Sequence, residues 1–438
     1  MRGYAMVKIG IVGGGFSGLA VAYFLREHDV TIIESGNALG GLASWIDVPG
    51  WEWPIEKFVH HWFVTDKWIF QLIRELGLER KMIIRDTRSS CYYKGEIAEL
   101  DSAVSLLKFP LLRLLDRLRM GAILALLRLD RNYLKYEKIT AYSFLKKTMG
   151  KKAFEIVWEP LLIGKFGRDA EKINAAWFWG RVHPRTKSLA YIEGGFKTFI
   201  ETLSKKIRDN KGKVILNTQI KKITKKWGKF MVDAGNKKFK FDYLVLAVPL
   251  HVALELYSFP KEYKEKYKPI RSIGAQYFIL ALKKQFLDEI YWLNINDKNA
   301  PFVVIVEHTH LVDKKHYGDK HIIWVGKYLD YDDPLWKLSE AELLEKIISY
   351  LKKINPEFKR EWINKSYFTR SKNAQPLMTI NYSRHIPKIE TPIKNLYLAN
   401  MNQIYPWDRG TNNAVGIGLD IAKKIEADLK RNKVYRKV

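Results

Sequence analysis

Residues 58–63 read Phe-Val-His-His-Trp-Phe, two adjacent histidines between large apolar side chains. Such a pair could ligate a metal, handle protons, or wall a pocket that holds a flat molecule. In an extended segment neighbouring side chains point to opposite faces, so His60 and His61 cannot share one ion without a sharp bend. No His-x-x-x-His or carboxylate–His spacing accompanies them, so the sequence implies no metal site. The alternation sends Phe58, His60 and Trp62 one way and Val59, His61 and Phe63 the other. One face could line a cavity while the other packs on the core. Each histidine taken singly fits a cavity wall or a hydrogen-bonded core position, with His60 preferred for the cavity. A second chemical group is cationic: Lys165 and Arg168, with Glu159 nearby, then Arg181, His183 and Arg185, all close to tryptophans. These could grip a phosphate or carboxylate of a substrate, and they could equally form interdomain salt bridges.

The elements that must position such groups begin at the front of the chain. Residues 7–12, VKIGIV, have the β-branched, apolar character of a buried parallel strand. Gly13, Gly15 and Gly18 follow in G-x-G-x-x-G spacing, with Phe16 and Ser17 between them, and LAVAYFLREH continues with helical apolar spacing. The glycines permit a tight turn and close backbone approach to a pyrophosphate, at which the helix aims its unpaired N–H groups and positive dipole end. The next strand, DVTIIE, ends in Glu34, about twenty residues past the first glycine, where a carboxylate accepts hydrogen bonds from a ribose. This is a dinucleotide site.

Beyond Glu34 and Ser35 the chain reads on to Gly40-Gly41-Leu42-Ala43. With that second glycine pair the sequence resembles the FAD-dependent amine oxidase superfamily, which includes protoporphyrinogen oxidases, phytoene and squalene desaturases and UDP-galactopyranose mutase. A second bare-backbone turn suits the middle of a cofactor longer than NAD. Three further pieces carry the likeness along the chain: residues 190–223, where Gly194-Gly195 precede an amphipathic helix and a strand, KVILNTQIKKI, follows; FDYLVLAVP at 241–249; and NLYLANMNQIYPWDRGTNNAVGIGLDIAKKI at 395–425. The resemblance implies non-covalent FAD. It implies contacts from the first glycine motif and Glu34, from Ser35, Gly40, Gly41, Leu42 and Ala43, and from Ile220 and Ala247. It further implies that Gly410, Thr411, Asn412, Asn413 and Ala414 open a last helix aimed at the flavin pyrimidine, with Thr411 or Asn412 as its N-cap. Leu42 stands where relatives often carry arginine, and Asn400-Met401 where they carry Gly-Asp or Gly-Glu, so Asn402 or Asp408 is the candidate for the ribityl or phosphate contact. The resemblance also runs the histidine segment along the flavin into the substrate chamber, so His60 and His61, with one of them lining the cavity, are candidate catalytic residues, joined by Arg181 from the cation cluster.

The implied architecture is α/β, a Rossmann-like FAD-binding domain of residues 1–85, 186–254 and 371–438 with an α+β substrate domain of residues 86–185 and 255–370. The implied chemistry is hydride transfer between a small, phosphorylated or lipid-like substrate and flavin N5. The alternatives are a mutase-like isomerase acting on a nucleotide sugar and a non-enzymatic relative that binds prenylated partners.

The 438 residues are 47% apolar, enough for two cores. A single cysteine, Cys91, excludes an intramolecular disulfide and suits a reducing compartment. The short apolar run at the N-terminus leads into the glycine motif and does not read as a signal peptide. No apolar stretch reaches the roughly 18–20 residues of a spanning helix. A cytoplasmic protein is expected, with peripheral membrane contact open and oligomeric state undetermined. The formal charge is +28. Much of it lies in lysine runs at 221–229, 236–241, 261–268 and the tail 430–438, which read as a solvated surface; no nucleic-acid module accompanies them. Residues 106–129, LLKFPLLRLLDRLRMGAILALLRL, mix leucine with arginine, and Pro110 and Gly121 should break them into short helices. This span fits an interfacial membrane helix or ordinary amphipathic packing.

Overall fold

The computed structural model describes residues 6–434. The end of the basic tail, residues 435–438, lies outside them. Strand Lys8–Val12 is the middle of a five-stranded parallel sheet, flanked by Asp29–Ile33 then Lys213–Ile215 on one side and by Tyr243–Leu246 then Leu396–Leu398 on the other. Ile9, Ile11, Val30, Ile32, Leu244 and Val245 have no exposed surface, because helices cover one face of the sheet and an antiparallel meander within residues 222–241 covers the other. Helix Phe16–Phe24 packs along the long C-terminal helix Thr411–Val434. The approach is close: a Cβ on Gly418 would lie 2.5 Å from Ala20 Cβ and 2.9 Å from the Ser17 carbonyl oxygen.

The second layer is a seven-stranded sheet in the order Ile363–Pro376, Ser272–Leu282, His321–Leu329, Val304–Glu307, Trp292–Ile295, Ser89–Tyr93, Glu96–Glu99. Helices between residues 103 and 182 and the helix Glu340–Ile354 pack beside it. This is the α/β two-domain fold. A meander, Lys222–Lys226, Lys229–Asp233 and Lys238–Phe241, carries two of the lysine runs on its strands.

Three local expectations are corrected. The segment KVILNTQIKKI is not one strand: after Ile215 it leaves the sheet, and Asn217 and Thr218 donate their amides to the carbonyls of Gly36 and Glu34, both at 2.9 Å. Gly121 does not break its helix, which runs unbroken over Leu114–Leu129; its missing side chain faces Leu106 of the short helix Ala103–Leu107, 3.5 Å from where a Cβ would stand. Thr411 and Asn412 are the first two residues of the last helix, not its cap, and their side chains serve other elements.

Candidate functional site

The phosphate end is built from backbone. Gly13 sits at φ +105°, and a Cβ there would lie 2.3 Å from the Ala247 carbonyl oxygen, so only glycine allows the turn to meet strand Tyr243–Leu246. Gly18 lies equally close, 2.1 Å from its would-be Cβ to the Gly13 oxygen. Gly15 differs: it precedes helix Phe16–Phe24 with no side-chain cap, and nothing lies within 4 Å of where its Cβ would stand. Open space therefore faces uncapped N–H groups, which is what an anion needs. Phe16 stacks on Phe199 with centroids 5.5 Å apart, and Ser17 donates to the Ala399 carbonyl at 3.4 Å, fixing the helix start. Glu34 accepts from the amides of Gly14 and Gly36, each at 2.7 Å, and from the Ser35 hydroxyl at 3.2 Å.

The second glycine pair packs against the first. The Gly40 amide donates to the Gly14 carbonyl at 2.8 Å, and a Cβ on Gly41 would stand 3.2 Å from Gly15 Cα. The two loops make one bare-backbone surface, continued by the 3-10 turn Gly41–Ala43. Ile220 turns its side chain into the core beside Val12 and Ile33.

The start of the last helix adjoins the histidine segment. The Trp62 indole N–H donates to Thr411 Oγ1 at 2.8 Å, and Asn412 Oδ1 accepts from the amides of Trp68 and Ile69 at 2.9 and 3.2 Å, capping helix Lys67–Glu75. Asn413 donates to the Asp408 carbonyl at 3.2 Å, Ala414 closes the first helical turn on the Gly410 carbonyl at 3.1 Å, and Gly410 itself has open space around it. One wall thus runs from Gly15 along helix Phe16–Phe24 to the packed helix Thr411–Val434 and residues 58–63. These features fit FAD. The open cradle and uncapped amides would take the pyrophosphate, Glu34 the ribose, and the start of the last helix the ring. Cys91 is buried in the seven-stranded sheet, where burial pushes its thiol up to about 12, so it offers no covalent flavin link.

Beside this wall lies a narrow slot of about 40 Å³, lined among others by Leu42, Phe58, His60, Tyr277, Tyr328 and Arg409. His60 Nδ1 is 2.8 Å from the Phe58 carbonyl. Burial, against that hydrogen bond, pulls His60 down to about 4, so it is neutral at pH 7. His61 lies beside the aromatic rings of Tyr291 and Trp292, with Nδ1 3.0 Å from the Tyr291 hydroxyl, and burial pulls it to about 3. The segment is not a strand at this point, and Phe58, Val59 and His60 all line the slot.

At the Arg409 end of the slot, cations outnumber acids. Lys165 Nζ is 3.0 Å and Arg181 Nη1 3.4 Å from the same oxygen of Asp408. The Arg409 guanidinium sits 4.8 Å over the Tyr328 ring, bonds its hydroxyl, and donates to Gln375 at 3.3 Å. Burial, opposed by Asp408 and aided by Arg181 and Arg409, brings Lys165 down to about 7. Burial works against the Asp408 charge too, yet Lys165 and Arg181 hold its carboxyl below the usual range. The Trp177 indole N–H, buried beneath Lys165, has no hydrogen-bond partner among the described residues. Arg168 and Glu159 take no part: Arg168 pairs with Asp330 and Asp332, and Glu159 with Tyr142 and Lys298. Asn402 is buried with its side-chain nitrogen on Ser272 Oγ at 3.3 Å and its amide on Asn400. Arg409, Tyr277 and Tyr328 carried no sequence signal of their own, although Arg409 directly follows the singled-out Asp408.

Glu56 is a further buried group. It has no exposed surface, and its carboxylate accepts the Tyr191 hydroxyl at 2.8 and 2.7 Å and the Phe196 amide at 2.7 Å, at the start of helix Gly195–Asp209. It ties the segment entering the histidine pair to the helix that supports Phe16.

The comparisons agree with this geometry. The chain is 32% identical over 99 residues to zeta-carotene desaturase of Solanum lycopersicum, covering 22% of this chain and 16% of that protein. It is 26% identical over 182 residues to coproporphyrinogen III oxidase of Staphylococcus aureus, covering 38% of each. The chain thus spans well under half the length of these relatives. The structure of reduced UDP-galactopyranose mutase superposes with TM-score 0.79 at 14% identity, covering 96% of both chains, a likeness of fold. The sequence model described as Flavin containing amine oxidoreductase matches residues 16–425, and the chain belongs to that family.

Proposed function

We propose that this protein is an FAD-dependent oxidoreductase that oxidises a C–H bond of a small molecule carrying a carboxylate or phosphate. Bound FAD supplies the hydride acceptor of the reaction. The observation that carries the reading is the cationic end of the slot, where Lys165 and Arg181 share a single carboxylate, Asp408, and the Arg409 guanidinium has no acidic partner among the described residues. Arg409 lines the slot itself and offers donors to an anionic group. Phe58, Tyr277 and Trp292 form apolar walls suited to a planar or unsaturated body. His60, neutral at pH 7, orients substrate through a hydrogen bond and does not deliver charge. Among the described residues no strong base lines the slot, which suits removal of hydride instead of a proton.

The test is an anaerobic screen of carboxylates and phosphates for bleaching of the flavin absorbance, repeated with Arg409→Met. A charged hydrogen bond of roughly 1.5–3 kcal/mol corresponds to about 10–100-fold in KM for the anionic substrate. Bleaching by neutral amines alone, with Arg409→Met unchanged, sinks the proposal. A mutase-type reaction on a nucleotide sugar is the second reading, favoured because the same cations suit a diphosphate. It requires product only after dithionite reduction and no net consumption of an electron acceptor.

A further inference from the structure

More than half of the large apolar side chains exposed among the described residues fall between Val104 and Leu134, and helix Leu114–Leu129 shows why. At 100° per residue its buried Met120 and Leu127 share one face. Leu114, Leu115, Leu118, Leu126 and Leu129 fall within about 120° on the opposite face. Ala122 and Ala125, also exposed, complete that stripe, which contains no polar residue. Leu115 and Leu129 are each 80% exposed. A helix packed once into a core has a polar outer face; this one is apolar on both.

The charges around the stripe say what covers it. Lys108, Arg113, Arg128 and Arg131 are exposed and make no ion pair among the described residues. The local acids are occupied or withdrawn: Asp130 pairs with Lys135, and Glu137 is buried against Ser383 and Tyr405. Asp116 falls about 140° around the helix from the middle of the stripe. A second copy of this chain, with +28 of net charge, would bring arginine against arginine. An acidic lipid surface complements both features.

We propose that the outer face of residues 104–134 seats in the interfacial layer of an anionic bilayer, its leucines at the acyl boundary and its arginines on headgroup phosphates. No helix among the described residues is long and apolar enough to cross a membrane, so the contact is peripheral. The face is coupled to the site: the Trp179 indole N–H donates to the Asp130 carbonyl at the end of this helix at 2.7 Å, and Arg181 lies on the same helix, Ala175–Val182. A bilayer-bound molecule would hold the cationic end of its slot one helix away from the lipid. The inference does not depend on the substrate reading.

The experiment is flotation of the FAD-loaded full chain with vesicles of phosphatidylcholine plus phosphatidylglycerol, and of phosphatidylcholine alone, at low and high salt. Flotation with the anionic vesicles is expected, weakened by salt. Leu115→Gln with Leu129→Gln leaves net charge and core untouched and should lower the bound fraction at least about tenfold, with flavin spectrum and thermal midpoint unchanged. Arg113→Gln with Arg128→Gln should weaken binding to the anionic vesicles alone. A wild-type chain that stays unbound overturns the proposal. Leucine variants that float as well as wild type also overturn it, since binding is then diffuse charge attraction. So does a wild-type dimer that the leucine variants dissociate, since the stripe then meets a second copy.

Discussion

Replacing Glu56 with glutamine isolates the energetic effect of a buried, unpaired carboxyl that holds the site together. The carboxylate has hydrogen-bond donors but no cation beside it; Tyr191, Tyr291, Tyr317 and His308 surround it. Burial, against the hydrogen bonds from Tyr191 and Phe196, raises it from the ordinary 4.5 to about 7. The folded state therefore binds this proton more tightly than the unfolded chain. The stabilisation is fully present below pH 4.5 and is lost as pH rises to about 7, above which the charge is borne at constant cost. From 4.5 to about 7, at 1.36 kcal/mol per tenfold change, that loss is roughly 3 kcal/mol. Glutamine keeps the shape, still accepts from Phe196, and cannot ionise. The stability of wild type minus that of Glu56→Gln should fall by roughly 3 kcal/mol between about pH 4.5 and about pH 8. The difference is the right quantity because the buried histidines oppose the trend: His60, His61 and His308, pulled by burial to about 4, 3 and 3, lose stability as pH falls below the ordinary 6.5. Urea unfolding of both FAD-loaded proteins, followed by tryptophan fluorescence across that range, gives the two curves. A difference flat to within about 1 kcal/mol would refute the reasoning, because Glu56 would then be ionised in both states.

Gly15→Ala should separate cofactor binding from folding. Gly15 has φ −70° and an open Cβ position, so the apoprotein should unfold at the wild-type midpoint while the methyl group occupies the cradle and the flavin absorbance per protein falls by about tenfold or more. A variant that retains full flavin absorbance places the pyrophosphate elsewhere. Lys165, held at about 7, should make anion binding pH-dependent within the working range. As pH rises through 7 its ammonium is lost and KM for an anionic substrate climbs, whereas Lys165→Met should show a higher KM with that climb removed. An unchanged wild-type profile in the variant would separate Lys165 from the substrate.

Legibility in the sequence followed the range of the cause. The strand ending at Val12, the turn at Gly13 and the carboxylate at Glu34 are set by backbone sterics and local hydrogen bonds, and all three were readable from spacing. Gly121 misled because a helical glycine marks either a break or a close neighbour, and the neighbour, Leu106, comes from another helix. Thr411 and Asn412 have the composition of a cap, but Trp62 and helix Lys67–Glu75 compete for their oxygens from 343 to 349 positions away. The cationic end of the slot was least readable. Lys165, Arg181 and Arg409 lie on separate elements and meet only when the last helix docks, while the neighbouring Arg168 turns away to Asp330 and Asp332.

The chain's excess charge is of two chemically distinct kinds, and net charge alone conceals the difference. Lysines dominate the runs at 221–229, 236–241 and 261–268, which form the meander and the short helix Lys261–Tyr267. Their compact, strongly hydrated ammonium groups lose little by staying in water. Arginines stand exposed at Arg113, Arg128 and Arg131 around the leucine stripe, Arg409 lines the slot, Arg181 pairs with Asp408, and Arg185 lies half-buried with its guanidinium on Ser89. A guanidinium is more weakly hydrated and matches phosphate and carboxylate with two parallel donors, so it tolerates partial desolvation better than an ammonium. Burial depresses Arg185 and Arg409 only to about 10, so both stay charged at pH 7, whereas Lys165 in similar surroundings reaches about 7. A buried arginine therefore keeps its charge at pH 7, where a buried lysine such as Lys165 is poised to lose it.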